Sequence, residues 1–128
     1  MVLNPDSMKP IYVQIAEWLE TEILNENIEC DQKVYSQYQL AEMFNINPAT
    51  AAKGINLLTE ENVLYKKRGL GMFVTAEASG IILKKRKNTK LKSMVADIAK
   101  EAVQLKVDEE ELFEMIREMH RKEKGEGS

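Results

Sequence analysis

A single cysteine, Cys30, leaves the chain unable to close an internal disulfide. A single histidine, His120, stands in a charged stretch with no cysteine or second histidine beside it to share a metal ion. No nucleophile motif is present, and the Gly69-x-Gly71 pair lacks the strand-to-helix context of a phosphate-cradling loop. No signal peptide is evident, and no apolar run approaches the ~18 residues a membrane helix needs. The chain also lacks an excess of positive charge: 18 Lys and Arg face 21 Asp and Glu, for a net charge of −3. These absences argue against an enzyme, a metal protein, a cofactor carrier and a membrane protein. They fit a protein of a reducing cytoplasm, and they give no bulk hint of a nucleic-acid partner. The length, 128 residues, suits one domain with a small appendage.

What is present is concentrated between Ser36 and Val74. Ser36-Gln37-Tyr38-Gln39 reads as a helix start, with Ser36 capping an amide three residues on and Gln39 reaching back. Leu40, Ala41 and Phe44 give this short helix one apolar face. Asn45 follows where the chain must turn, and Asn tolerates the left-handed conformation. Ile46 plugs that turn, Asn47 suits an N-cap, and Pro48 suits the first helical position because its missing N–H costs nothing there. Ala51, Ile55 and Leu58 form the inner stripe of the second helix, which makes the pair a helix-turn-helix.

Two β-favouring runs follow, Val63 to Lys67 and Met72 to Thr75, joined by Arg68-Gly69-Leu70-Gly71. Glycines two apart permit a tight hairpin tip. A hairpin directly after a helix-turn-helix is a wing, and Lys66, Lys67 and Arg68 lie at its tip.

Pro10-Ile11-Tyr12-Val13-Gln14-Ile15, Ser36 with Leu40-Ala41, Asn47-Pro48-Ala49-Thr50 and Gly69-Leu70-Gly71-Met72-Phe73-Val74 together resemble the winged-helix domain of GntR-family transcription regulators. The short length and the Asn-Pro-x-Thr variant resemble the YtrA-type branch. The resemblance implies that Ser36, Tyr38, Asn47, Pro48, Ala49, Thr50 and Lys53, with Lys67, Arg68, Gly69 and Gly71 of the wing, meet double-stranded DNA. The chain departs from the family pattern in several places. Tyr38, Pro48 and Ala52 occupy positions where arginine is common, and Asn27 and Tyr35 replace a usual Gly and Pro before the serine. Asn47, Thr50, Lys53 and Tyr38 remain as readers, Asn being suited to adenine and Lys to guanine or phosphate. Asn47 has a second reading as a cap alone, and Thr50 as a packing residue. Gly54 in mid-helix, ~1 kcal/mol worse there than Ala, reads as a site of close helix packing.

Charge is distributed against this assignment in bulk and with it locally. Residues 1–75 hold 6 basic and 10 acidic residues. Yet Lys53, Lys66, Lys67 and Arg68 fall on the recognition helix and wing, while Glu17, Glu20, Glu22 and Glu26 fall on the outer side of an earlier helix. The field at the contact matters more than net charge, so modest affinity with weak non-specific binding is expected.

Ahead of the motif, residues 1–8 read as a loose arm. A helix runs from Pro10 to about Asn27, with Ile11, Ile15, Leu19 and Ile23 at helical spacing, and Tyr12 and Trp18 as packing residues. Cys30 reads as a loop or core thiol without basic neighbours.

Beyond Thr75, residues 76–80 read as a small-residue joint able to pivot. One long helix follows from Ile81 to about Leu105, with Leu91, Met94, Ile98, Ala102 and Leu105 as a stripe. Asp108 suits the cap of a last helix, where Leu112, Ile116 and Met119 continue the stripe to about Lys122, and Gly125 to Ser128 reads as a frayed tail. Two amphipathic helices of this size cannot bury their faces alone, so Leu91, Met94, Ile98, Leu105, Leu112, Ile116 and Met119 are expected to form a dimer interface. The run Lys84-Lys85-Arg86-Lys87, with Lys90 and Lys92, reads as a solvated face or as a flanking phosphate contact.

The expected architecture is mainly α with a small β-hairpin wing: a winged helix-turn-helix over 1–75 and a two-helix dimerisation tail over 76–128. The expected function is a cytoplasmic, homodimeric transcription regulator, by resemblance usually a repressor, on an inverted-repeat operator. A small-molecule effector is left open. A winged-helix protein-interaction module and a non-specific architectural DNA binder are the alternatives.

Overall fold

The computed structural model describes residues 3–125. Its elements, in chain order, are α1 (Ile11–Leu24), α2 (Gln37–Phe44), α3 (Pro48–Glu60), β1 (Leu64–Lys67), β2 (Gly71–Val74), α4 (Ala78–Arg86), a π-helical segment (Lys87–Leu91), α5 (Lys92–Gln104) and α6 (Glu109–Glu123). The chain divides into two compact units, one ending at Lys85 and the other starting at Arg86.

In the first unit, α1 starts after Pro10, whose carbonyl accepts from the amides of Val13 and Gln14. The arm before it is not loose over its described part. Gln14 Oε1 accepts from the Asn4 amide at 2.8 Å, and its Nε2 donates to the carbonyls of Asn4 and Lys9. Leu3 packs against the core. Met1 and Val2 lie outside the described residues, as do positions 126–128 of the expected frayed tail. Helix α1 also ends sooner than expected, at Leu24. Glu26 takes a left-handed φ of 62°, and the amides of Asn27 and Ile28 fold back on the Glu22 carbonyl, which tucks Ile28 into the core.

The helix-turn-helix forms as its local chemistry dictates. Ser36 and Gln39 close a reciprocal capping box, and Asn45 ends α2 at φ 55°. Ala51, Ile55 and Leu58 of α3 are buried with Leu40, Ile15 and Leu19 in one core. Gly54 sits where a Cβ would come within 2.8 Å of the Tyr12 carbonyl oxygen, so the close approach of α1 and α3 requires glycine. Trp18 packs edge-on against Phe44 with centroids 5.1 Å apart, joining α1 to α2.

Strands β1 and β2 pair antiparallel with Leu64 opposite Val74 and Lys67 opposite Gly71. The loop before α2 adds to the outer side of β2. Asp31 N donates to Val74 O at 2.8 Å, Val34 N to Met72 O at 2.9 Å, and Val74 N to Gln32 O at 3.1 Å.

Helix α4 revises the reading of residues 76–80 as a pivoting joint. It starts at Ala78, so Ser79 and Gly80 already lie in its first turn. The cause is tertiary: Ala78 and Ile82, four residues apart, are buried in the winged-helix core. Lys85 follows one turn on and turns inward, its Nζ within ion-pair distance of Glu20 and Glu61. The solvated-face and phosphate readings of the basic run therefore fail for this residue, because a buried carboxylate of α1 claims it.

In the second unit, the π-helical segment leads without a break into α5. Ala102 is buried at the end of α5, and Lys106, at φ 58°, reverses the chain into α6. Asp108 caps α6 by accepting from the Glu111 amide at 2.9 Å. Glu109, Glu110 and Glu111 fill its first turn and His120, Arg121 and Lys122 its last, matching the helix dipole at both ends.

Candidate nucleic-acid interface

The outward side of α3 starts at its cap. Asn47 Oδ1 accepts from the Ala49 amide at 2.8 Å, which leaves the side-chain amide N–H groups for a partner. Pro48 occupies the first helical position. From there the exposed positions of the helix are Ala49, Lys53, Asn56 and Glu60, with Thr50 and Ala52 half-buried on its flanks. Asn56 was not among the residues singled out from the sequence. It has no family motif to mark it, but helical spacing from Ala49 and Lys53 would have found it.

Lys53 does not wave freely. Its ammonium lies 5.2 Å from the centroid of the Tyr12 ring, so α1 supplies an aromatic rest for a cation of α3. Tyr12, expected only to pack, thus positions a candidate contact residue.

The wing shows the same device. Lys67 Nζ sits 4.4 Å from the Phe73 centroid and 5.8 Å from that of Tyr65. Tyr65 is itself held by a 2.8 Å hydrogen bond from its hydroxyl to Asp31. That bond, with lesser help from desolvation, pushes the phenol pKa up. Beyond Lys67 the tip turns through Arg68 and Gly69 (φ 77°), closed by the Leu70 amide donating to the Lys67 carbonyl at 2.9 Å. Arg68 and Leu70 are exposed there. Gly71 has φ 118°, a conformation that suits glycine, and the Lys33 stem lies across it.

A groove of about 390 Å3 separates α3 from the wing, with Ser36 and Tyr38 of the α2 start at its end. Tyr38 is 69% exposed. The structure therefore gathers Ser36, Tyr38, Asn47, Thr50, Lys53, Lys67 and Arg68 onto α3, the start of α2 and the wing. It adds Lys33 and Asn56, which the sequence did not single out, and Lys66, read from the sequence as part of the basic wing, lines the same groove. Cys30 is exposed beside Asp31, and its thiol pKa is pushed up by desolvation first and by the Asp31 carboxylate next, which disfavours the reactive thiolate.

The second unit carries the other expected site. Leu91, Met94, Ile98, Leu105, Ile116 and Met119 are all exposed, and Leu112 is half-buried. Val95, Val103, Phe113 and Met115 add to this apolar surface and were not anticipated. A shallow cleft of about 170 Å3 runs between α5 and α6, lined by Ile98, Leu105, Val107, Leu112 and Met115 among others.

No family model matches the chain. It is 28% identical over 123 residues to the HTH-type transcriptional repressor YtrA of Bacillus subtilis (strain 168), covering 96% of this chain and 94% of YtrA. It is 37% identical over 75 residues to the HTH-type transcriptional repressor NagR of the same organism, covering 59% of this chain. The match spans 31% of NagR, so the chain accounts for about a third of that relative. Among solved structures, a GntR-family transcriptional regulator from Bacteroides thetaiotaomicron superposes with a TM-score of 0.75 at 28% identity, over 89% of this chain and 99% of that one. The DNA-binding domain of AraR in complex with operator ORX1 superposes with a TM-score of 0.53 at 31% identity, over 59% of this chain and 93% of that domain.

Proposed function

We propose that the chain is a winged-helix transcription regulator of the GntR type, like YtrA, and that it is a repressor binding an inverted-repeat operator as a homodimer. Helix α3 enters the major groove with Asn47, Lys53 and Asn56 toward the bases, and the wing tip with Arg68 contacts the adjoining backbone. The observation that carries this reading is the outward side of α3, which is polar, capped and flanked by an anchored cationic wing.

Residues 86–128 serve as the dimerisation part in this reading. What supports it is the row of large apolar side chains left exposed on α5 and α6, which water disfavours and a second copy would cover. The cleft in this unit, about 170 Å3, falls below the ~300 Å3 at which small-molecule sites begin, which favours an interface over an effector pocket there. Two related recognition helices then require a target with dyad symmetry.

Selection of duplexes from a random pool by the full-length protein, with sedimentation of the free protein, tests the proposal. Enriched sites should be inverted repeats and the free protein a dimer at micromolar concentration. Enriched sites without dyad symmetry, or a monomer, would remove the dimeric part of it.

A further inference from the structure

We propose that charge orients the tail on a second copy of itself, the lysines at the start of α5 meeting the acidic start of the partner's α6 in an antiparallel pair; the inference rests on the homodimer reading above. Helices α5 and α6 part beyond their turn and leave each other uncovered. Ala102 is the only buried residue described between positions 87 and 125. The exposed apolar row calls for a cover, but it does not set which way round the cover lies.

Charge is sorted along this unit by distance from the turn. Residues 87–92 hold Lys87, Lys90 and Lys92 and no acid. Residues 108–114 hold five acids and no base. Residues 115–124, running away from the turn again, hold four Lys and Arg against two Glu. At 1.5 Å per residue, Lys92 stands about 18 Å along α5 from Gln104, and Lys122 about 20 Å along α6 from Glu109. The start of α5 and the end of α6 are thus basic at similar reach, and the turn between them is acidic.

The helix dipole accounts for only part of that acidity. It amounts to about half a positive charge, whereas Asp108 and Glu109 to Glu111 bring four carboxylates. Nor does the chain answer these charges itself. The described ion pairs of α6 are Arg117 with Glu114 and Lys122 with Glu118. Among the described residues, none joins Lys87, Lys90, Lys92 or Glu109 to Glu111.

A second copy answers them in one orientation. Across a two-fold axis every contact occurs twice. In an antiparallel pair the turn of each copy lies against the basic ends of the other, so carboxylates face lysines at both ends. In a parallel pair lysines face lysines and carboxylates face carboxylates. The apolar row accepts either arrangement, and like-charge repulsion removes the second.

The test is sedimentation equilibrium of the full chain across a KCl series. The wild-type dimer should dissociate more readily as salt rises, because screening weakens exposed pairs. Lys87→Glu/Lys90→Glu/Lys92→Glu should raise the dimer dissociation constant by about tenfold or more and reverse its salt dependence. It should leave the melting of the winged helix unchanged. Glu109→Lys/Glu110→Lys/Glu111→Lys should also weaken self-pairing, and mixing the two variants should give a heterodimer. Reversing the α6 acids opposes the helix dipole as well, so the lysine variant carries the first comparison alone. A chain with all six reversals should pair with itself and refuse the wild type. Free exchange of that chain with the wild type would overturn the inference. A dimer indifferent to both salt and the lysine variant would overturn it too and leave the homodimer reading standing. A lysine variant that dimerises as the wild type does, but binds DNA with a less steep salt slope, would assign the lysines to phosphate and equally overturn it. A monomeric wild type at micromolar concentration would remove both readings.

Discussion

Lys85 Nζ lies 2.5 Å from Oε2 of Glu20, a carboxylate only 1% exposed, and 2.9 Å from Oε1 of Glu61. One ammonium thus ties α4 to α1 and to the residue that ends α3. Desolvation acts to lower its pKa, but hydrogen bonds from the ammonium to Glu20 and Glu61 outweigh it and hold the group above the ordinary lysine value.

Removing that cation should destabilise the protein, because the buried Glu20 carboxylate and Glu61 both lose their ion pair with it. Lys85→Ala is expected to cost about 1.5–3 kcal/mol in urea unfolding at pH 7, the range for losing a hydrogen bond to a charged group. Since the folded-state pKa is raised, this contribution is present below the unfolded lysine value near 10.5 and fades as pH rises through the folded one. The wild type should therefore lose more of its melting temperature above about pH 10.5 than Lys85→Gln does. A cost below ~0.5 kcal/mol would show the pair to be incidental.

The winged helix should need α4 to stand alone. A chain ending at Thr75 loses Ala78, Ile82 and Lys85, and bares the core those residues cover. Loss of a buried Ile side chain alone removes about 2–5 kcal/mol. A chain ending at Asn88 is therefore expected to melt cooperatively and run as a monomer, while the shorter one is unfolded or nearly so. Equal melting temperatures for the two would contradict the seating of Ile82.

Asn47 combines a cap with a candidate base contact, and two substitutions separate them. Asn47→Ser preserves a capping oxygen and should cost less than ~0.5 kcal/mol, whereas Asn47→Ala should cost about 1 kcal/mol. Both should lower affinity for an enriched duplex by tenfold or more if the side-chain amide reads adenine. Full affinity in the serine variant would leave Asn47 as a cap only.

Gly54→Ala sets helix propensity against packing. Alanine gains ~1 kcal/mol in an exposed helix, but here its methyl would meet the Tyr12 carbonyl at 2.8 Å and Ile15 Cγ2 at 3.0 Å. Backbone cannot yield as a side chain can, so a net loss of about 1–3 kcal/mol is expected in thermal or urea unfolding. A stabilised variant would mean that α1 and α3 separate without cost.

The features legible in the sequence were those decided within a few residues of chain. Ser36 with Gln39, the left-handed Asn45, the Asn47-Pro48 start and the glycines of the wing tip each follow from local hydrogen-bonding or conformational need. What escaped depends on partners remote in sequence. Gly80 looks like a joint until Ile82, two residues later, is seen buried in a core made by α1 to α3. Lys85 looks solvated until Glu20, 65 positions earlier, is placed beside it. Lys33, in a loop without periodicity, becomes part of the groove only through its bridge to Phe73. Tyr12 rests under Lys53 because Gly54 brings two helices together, a relation that spacing along either helix cannot express.

The aromatic rests under Lys53 and Lys67 bear on the kinetics of encounter. A free lysine side chain carries roughly 2 kcal/mol of rotamer entropy that a partner must remove on contact. Where the ammonium lies over Tyr12 or Phe73, a contact of about 0.5–1 kcal/mol at an exposed site offsets part of that cost before any partner arrives. Complex formation then needs little side-chain rearrangement after collision, so the association rate should track ionic strength and orientation, and differences among targets should appear chiefly as differences in residence time.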